Sequence, residues 1–191
     1  MIDVAKAFYR PVMLPAQFDL GLEASGTFAA EPSNYPNGCH VCEVEIDPET
    51  GVVTLARYAA VDDVGKIMNR LLCEGQIHGG VAQGVGQALM EMIVFDADGQ
   101  LLTGSFQDYA MPRAEDFPNL LSKLTEVPAK TNPLGVKGAG EAGATGAPPA
   151  VVSAILDALR PLGIEHIDMP ATPDRVWQAI KSRAATKAAA A

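Results

Sequence analysis

The sequence predicts an α+β domain, with a mixed or antiparallel sheet of hairpins packed against about three helices. Two periodicities carry that expectation. From His40 to Ile46 the residues alternate, so His40, Cys42, Val44 and Ile46 share one face and Val41, Glu43 and Glu45 the other, as in a half-buried strand. Further on, Ile77, Val81, Val85 and Leu89 recur every four residues, as do Val151, Ile155 and Leu159, which marks the buried stripes of two helices. At 191 residues the chain is long enough to build a sizeable core, and 48% hydrophobic against 19% charged residues describes a globular protein.

Taken in order, residues 1–20 contain Pro11 and Pro15 and show no sustained periodicity, so they read as part of an upstream segment. Gly21 to Pro36 is rich in small residues and prolines and reads as irregular connection. The first strand is followed by a turn, Asp47-Pro-Glu-Thr-Gly51, and a returning run from Val52 to Val61, which together form a hairpin. The adjacent acids Asp62 and Asp63 end that run and are expected to be solvated, because carboxylates are rarely buried unpaired. A helix is expected over Gln76–Met92, with Gln76, Gly80, Gln83, Gly84 and Gln87 on a stripe beside the apolar one. Glycine in a helix costs about 1 kcal/mol relative to alanine. Those glycines therefore imply the close approach of a backbone or a bulky ligand.

Ile93 to Thr103 reads as a second strand–turn–strand around Asp98-Gly99. Leu120 to Val127 reads as a short strand. A helix is expected to open at Pro148-Pro149, where a first turn tolerates proline, and a last one at Thr172-Pro173 with a threonine cap. Residues 21–181 form the domain, and 182–191, mostly alanine, are expected to be a disordered tail.

The net charge of −9 argues against nucleic acid, which is bound through basic surface. The sequence shows no run of 18 or more uninterrupted apolar residues of the kind that spans a membrane. Met1 to Lys6 lacks the layout of a signal peptide, so a cytoplasmic location is the expectation. Cys39 and Cys42 sit three apart on a strand and therefore point to opposite faces, which argues against a metal site. An iron–sulfur cluster usually takes four thiolates and the chain has three cysteines, so an electron acceptor is expected elsewhere. His40, His78 and His166 lack partners at ligand spacing in the sequence, and no metal is assigned to protein side chains.

The densest local signal is Asn132-Pro-Leu-Gly-Val-Lys-Gly-Ala-Gly-Glu-Ala-Gly-Ala-Thr-Gly146. Such a glycine run answers a need for positive φ or for backbone close to a ligand. Glu141 is its one acid and Lys137 its one base. A carboxylate held there is a candidate general base. Gly138 to Gly143 matches G-x-G-x-x-G literally. However, the lead-in Val127–Pro133 holds two prolines instead of a strand, and the acid at the right distance, Asp157, lies in a helix, so the dinucleotide reading fails. A phosphate-loop reading fails because Lys137 is followed by Gly138.

Four separated stretches resemble one known family. Gly75–Leu89, Leu102–Pro112, Gly135–Gly143 and His166–Pro170, in that order, are similar to the large subunit of molybdenum hydroxylases of the xanthine dehydrogenase family, most of all to the aerobic carbon monoxide dehydrogenase type. The resemblance spans roughly Gly21 to Ile180 and implies the C-terminal part of a molybdopterin-binding domain, with Met1 an arbitrary start inside a larger subunit. It implies molybdenum on a pterin, in the cytosine dinucleotide form, with 2Fe-2S clusters and FAD on partner subunits. It makes Glu141 the base that activates a metal-bound oxygen for attack on carbon monoxide or an electron-poor carbon. By the same resemblance Asn69, Gln76, Gln83, Gly84, Lys137, Gly138 and Gly140 are expected cofactor contacts, although Arg70 stands where the family has proline. The substrate-selecting part lies outside these residues. The alternative expectation is a non-catalytic piece or an assembly module of such a complex.

Overall fold

The computed structural model describes residues 2–9, 25–29 and 32–189, and the chain divides into two units, residues 1–31 and 32–191. In the first unit a short helix, α1, runs Ile2–Phe8. Most of the expected upstream segment, residues 10–20, lies outside the described residues, as do residues 21–24 of the connection.

The second unit is built on a three-stranded mixed sheet in the order β1-β2-β3. Strands β1 (Asn37–Ile46) and β2 (Val53–Asp63) form the expected antiparallel hairpin. Asp47 closes its turn by accepting from the Glu49 amide at 2.9 Å and the Thr50 hydroxyl at 2.7 Å. The pairing slips by one residue between Glu43 and Val44. That bulge lets Leu55 and Tyr58, three apart, both reach the core. Strand β3 (Leu121–Thr125) lies parallel to β2 on its other edge. A parallel neighbour needs a long crossover, which is supplied by helix α2 (Arg70–Leu89) and the irregular segment after it.

Helix α2 begins six residues before the expected Gln76. Asn69 caps it, its side-chain oxygen accepting the Leu72 amide at 3.1 Å. Helix α3 (Ala142–Leu159) also starts six residues early, so Pro148 and Pro149 fall inside the helix. They deprive the Ala144 and Thr145 carbonyls of helical partners. The Pro148 ring is accommodated because Gly84 of α2 faces it. Helix α4 (Pro173–Ala189) starts where expected, the Thr172 hydroxyl accepting the Arg175 amide at 3.4 Å. It continues into the alanine-rich stretch expected to be disordered, as the high helix propensity of alanine favours.

The second strand–turn–strand is reduced to one bridge, Phe95 with Leu101. Ile93, Phe95, Leu101 and Leu102 are all exposed, so no buried face rewards a longer ladder.

The apolar stripes Ile77–Val81–Val85 and Val151–Ile155–Leu159 meet against the sheet, with Tyr58, Ala60 and Leu124 beneath them. Residues 142–162 are long and apolar enough to cross a membrane by length and composition, although Asp157 and Arg160 interrupt the apolar run. Gly143, Ala147, Val151, Ile155 and Leu159 of this helix are buried against the fold, as in a core helix.

Candidate functional site

The glycine-rich loop leads from the end of β3 to the first turn of α3, and its first half is laced to the end of β2. The Asn132 side chain closes a ring with Val136, donating to its carbonyl at 2.8 Å and accepting from its amide at 3.1 Å. Gly135 adopts φ +71°, where a side chain is strained. Its carbonyl accepts the Lys66 and Ala129 amides at 2.8 and 3.0 Å. Lys137 reaches Asp63 at 2.5 Å, and this amine, expected among cofactor contacts, is committed to a nearly buried ion pair. Burial pushes the Asp63 carboxyl up. The Lys137 ammonium and the Val127 and Gly65 amides outweigh that and hold it below its ordinary range.

Beyond Lys137 the loop is open. Gly138 and Gly140 are exposed, their φ is not positive, and a Cβ at either would meet nothing within 4 Å. Gly140 is tied back by the Gln76 side-chain amide, which donates to its carbonyl at 2.9 Å. Glu141 then takes the N-cap position of α3 without bonding the helix amides through its side chain, and it is exposed. It is one of the residues that line a cleft of about 350 Å³, with Tyr35, Asn37, Gly38, His40, Asp62 and Thr145 among the others.

The floor of that cleft corrects two expectations. Asp62 and Asp63 are not solvated but 3% and 7% exposed, because helix, loop and neighbouring strands cover both faces of the end of β2. His40 is not alone. Its Nε2 lies 3.3 Å from both Asp62 oxygens and its Nδ1 2.7 Å from the Tyr58 hydroxyl. Gly38 and Gly146 roof the group so closely that a Cβ on either would collide with Asp62 or His40. The strand alternation already put His40 on the core face, and a buried imidazole requires a partner. The other two histidines also have partners, Ser122 for His78 at 2.9 Å and Asp168 for His166 at 3.0 Å. Among the described residues no cluster of three or more His, Cys, Asp or Glu suits a metal. Burial pushes the Cys42 thiol up to about 11.

The helix glycines divide by role. Gly84, expected at the cofactor, instead packs on Ala147 and Pro148, where a Cβ would come within 2.7 Å of both. At Gly80 a Cβ would lie 2.8 Å from the Ala144 nitrogen, and at Gly143 2.7 Å from the Val81 nitrogen. These residues let α2 and α3 touch backbone to backbone. Gly79 by contrast is exposed with nothing within 4 Å. Gln83, one turn on, is exposed too. Asn69 uses its oxygen as the α2 cap, and Arg70 occupies the first helical position, where proline is equally at home.

Gln76, Gly79, Gln83, Gly138, Gly140 and Glu141 thus remain as an open surface of side-chain amides and bare backbone. Amides donate and accept hydrogen bonds, and bare glycine admits close approach. This donor set and the unfilled space at three glycines fit one wall of a pterin and phosphate site.

Comparison with known proteins agrees with this chemistry. Residues 3–118 match the family described as molybdopterin cofactor-binding domain, a match that ends before Glu141. The chain is 37% identical over 182 residues to the carbon monoxide dehydrogenase large chain of Hydrogenophaga pseudoflava, covering 95% of this chain and 22% of that one. It is 41% identical over 180 residues to the nicotine 6-hydroxylase large subunit of Paenarthrobacter nicotinovorans, covering 94% and 22%. Among solved structures, quinoline 2-oxidoreductase from Pseudomonas putida 86 superposes with a TM-score of 0.82 at 39% identity, covering 95% of this chain and 23% of that one. A Cu,Mo-CO dehydrogenase superposes at 0.83 and 34% identity, covering 89% and 21%. The chain therefore spans about a fifth of the length of these relatives. It belongs to the molybdopterin cofactor-binding domain family, in the large-subunit lineage of the molybdenum hydroxylases.

Proposed function

We propose that this chain forms one wall of the active site of a molybdenum-dependent hydroxylase or dehydrogenase, with Glu141 as its general base. The carrying observation is the placement of Glu141. It is the only acid of the glycine loop, it is exposed at the head of α3, and open glycines precede it while a cleft lies beside it. The molybdenum centre, when bound, would supply the reactive oxygen and accept two electrons from the substrate carbon. Glu141 takes the proton that the oxygen nucleophile must lose. Gln76 fixes the backbone just before it, and Gln83 with the bare edges of Gly79, Gly138 and Gly140 would contact the pterin. The carboxylate is exposed in this chain, so the low-dielectric surroundings useful to a catalytic base must come from the rest of the subunit and from substrate.

The cofactor form is read as the cytosine dinucleotide, the partners as the remainder of the large subunit with 2Fe-2S and FAD subunits, and the location as cytoplasmic. The substrate is carbon monoxide or an electron-poor carbon of an aldehyde or N-heterocycle. Relatives named for carbon monoxide, nicotine and quinoline match this chain about equally well, and that supports the class rather than one member. In the complete complex Glu141→Gln is expected to lower turnover by about 10²-fold or more, the usual scale of general-base catalysis, with molybdenum content unchanged. Wild-type turnover in that variant would remove the role.

A second reading, a module that binds cofactor or partners without catalysing by itself, is favoured by one observation: the match to the molybdopterin cofactor-binding domain covers residues 3–118 and stops short of Glu141.

A further inference from the structure

Within Gly138–Gly140 the chain is held lightly, by the Gln76 amide on the Gly140 carbonyl at 2.9 Å and by Ala139 against the core. Both glycines are exposed and a Cβ on either would meet no atom within 4 Å. The carboxylate therefore stands where that bond and its two flanks hold the chain. Downstream the flank is α3. Upstream it is Lys137, whose backbone amide donates to the Val64 carbonyl at 3.0 Å and whose ammonium meets Asp63 at 2.5 Å. Only 12% of the Lys137 side chain and 8% of the Asp63 side chain are exposed. The other Asp63 oxygen accepts the Gly65 amide at 2.9 Å and the Val127 amide at 3.0 Å. One carboxylate thus joins three pieces of chain: its own strand end, the exit of β3, and the glycine loop.

We propose that Asp63 and Lys137 are a positioning pair for Glu141, a nearly buried ion pair that anchors the upstream end of the loop and so sets where the base stands against the reacting atoms. The proposal rests on the reading of Glu141 as base. A buried ion pair is seldom more stabilising than apolar side chains of the same size. Its distinctive property is fixed geometry. Here the pair lies four residues from the proposed base, and among the described residues it is the one side-chain ion pair that holds the loop, the other bonds being neutral hydrogen bonds. Lys137 is also unsuited to the cofactor contact its sequence position suggests, because its amine is already directed inward at Asp63.

The test uses the complete complex carrying Lys137→Met, Lys137→Arg and, in parallel, Glu141→Gln. Asp63→Asn keeps the shape and an oxygen for the Val127 and Gly65 amides, and serves as second variant if Lys137→Met fails to assemble. The readouts are molybdenum content, hydrogen exchange at the amides of Val127 and residue 137, and kcat and KM with carbon monoxide, nicotine and quinoline as probes. Lys137→Met is expected to speed exchange at both amides and to lower kcat by about 10- to 100-fold, the scale of an ångström-sized misplacement, at unchanged KM and molybdenum content. Lys137→Arg is expected to recover most of both. Unchanged exchange in Lys137→Met overturns the proposal, as does unchanged kcat in a complex that Glu141→Gln inactivates. A raised KM or lost molybdenum alongside the lower kcat overturns it as well, since the pair would then frame the pocket as a whole. Retained turnover in Glu141→Gln would instead remove the base reading, leaving exchange to decide whether the pair holds the loop.

Discussion

Asp62 and Asp63 are neighbours in sequence with opposite duties. As successive strand residues they point to opposite faces, Asp62 to His40 under the cleft and Asp63 to Lys137 of the glycine loop. Two carboxylates side by side at the end of a strand ordinarily mean solvent, and that expectation failed because each has a cation or imidazole from a distant part of the chain. No local pattern announces such partners: Lys137 is 74 residues from Asp63, and His40 is 22 from Asp62. The consequence for stability follows from the sign of the shift. The Asp63 carboxyl is held below its ordinary value of 3.8 in the folded chain. Its contribution is therefore complete above pH 3.8 and is lost as pH falls through the lower folded value. Acid unfolding followed by circular dichroism should accordingly show Asp63→Asn with a shallower dependence on pH below 3.8 than the wild type. Parallel curves there would mean that the pair contributes no linkage.

At the scale of elements, the α2–α3 contact separates glycines that pack from glycines that stay open. Gly80, Gly84 and Gly143 are needed because the helices touch at backbone distance, while Gly79, Gly138 and Gly140 meet nothing within this chain. Gly84→Val should cost about 1–3 kcal/mol, the usual penalty of overpacking, by driving a side chain into Ala147 and Pro148. Gly79→Ala should instead stabilise the isolated fold by about 0.5–1 kcal/mol through helix propensity, yet lower molybdenum content in the complete complex if the cofactor lies along that edge. Thermal melting and elemental analysis of the two variants check both statements. Equal molybdenum content in Gly79→Ala and wild type would place the cofactor elsewhere. The hairpin and both apolar helix stripes were readable from period alone, since they reflect which side of an element is buried. The early starts of α2 and α3 were not. Leu71 and Leu72 are exposed in α2, so no apolar periodicity marks its first turn. In α3 the prolines sit in a second turn that only the opposing Gly84 makes tolerable. The division among the glycines was equally hidden, because period puts Gly80 and Gly84 beside Gln76 and Gln83 without saying which neighbour covers them.

For the molecule as a whole, residues 32–189 carry a core of their own and one wall of a site. The sheet, α2 and α3 share a continuous apolar cluster from Leu55 to Val176. Many large apolar side chains remain outside it, among them Leu71, Leu121, Leu134 and Phe106 at 63–88% exposed. A surface of that kind is ordinarily covered, and in relatives about five times longer there is chain to cover it. The open amide surface around Glu141 is similarly one-sided. A dinucleotide-sized ligand is retained when most of its surface is enclosed, and the cleft beside Glu141 measures only about 350 Å³. The purified chain is therefore expected to fold cooperatively, to hold far less than one molybdenum per chain, and to reduce no dye with carbon monoxide, nicotine or quinoline. Combining it with the parts of a large subunit that its relatives have beyond the matched fifth, together with the electron-accepting subunits, is expected to give both metal and turnover. Calorimetry, elemental analysis and dye reduction, first on the chain alone and then on the mixture, separate the readings. Full occupancy and turnover in the isolated chain would contradict the one-wall geometry. Metal without turnover after mixing would favour the cofactor-binding module, and recovery of both would identify the chain as the Glu141-bearing wall of a split active site.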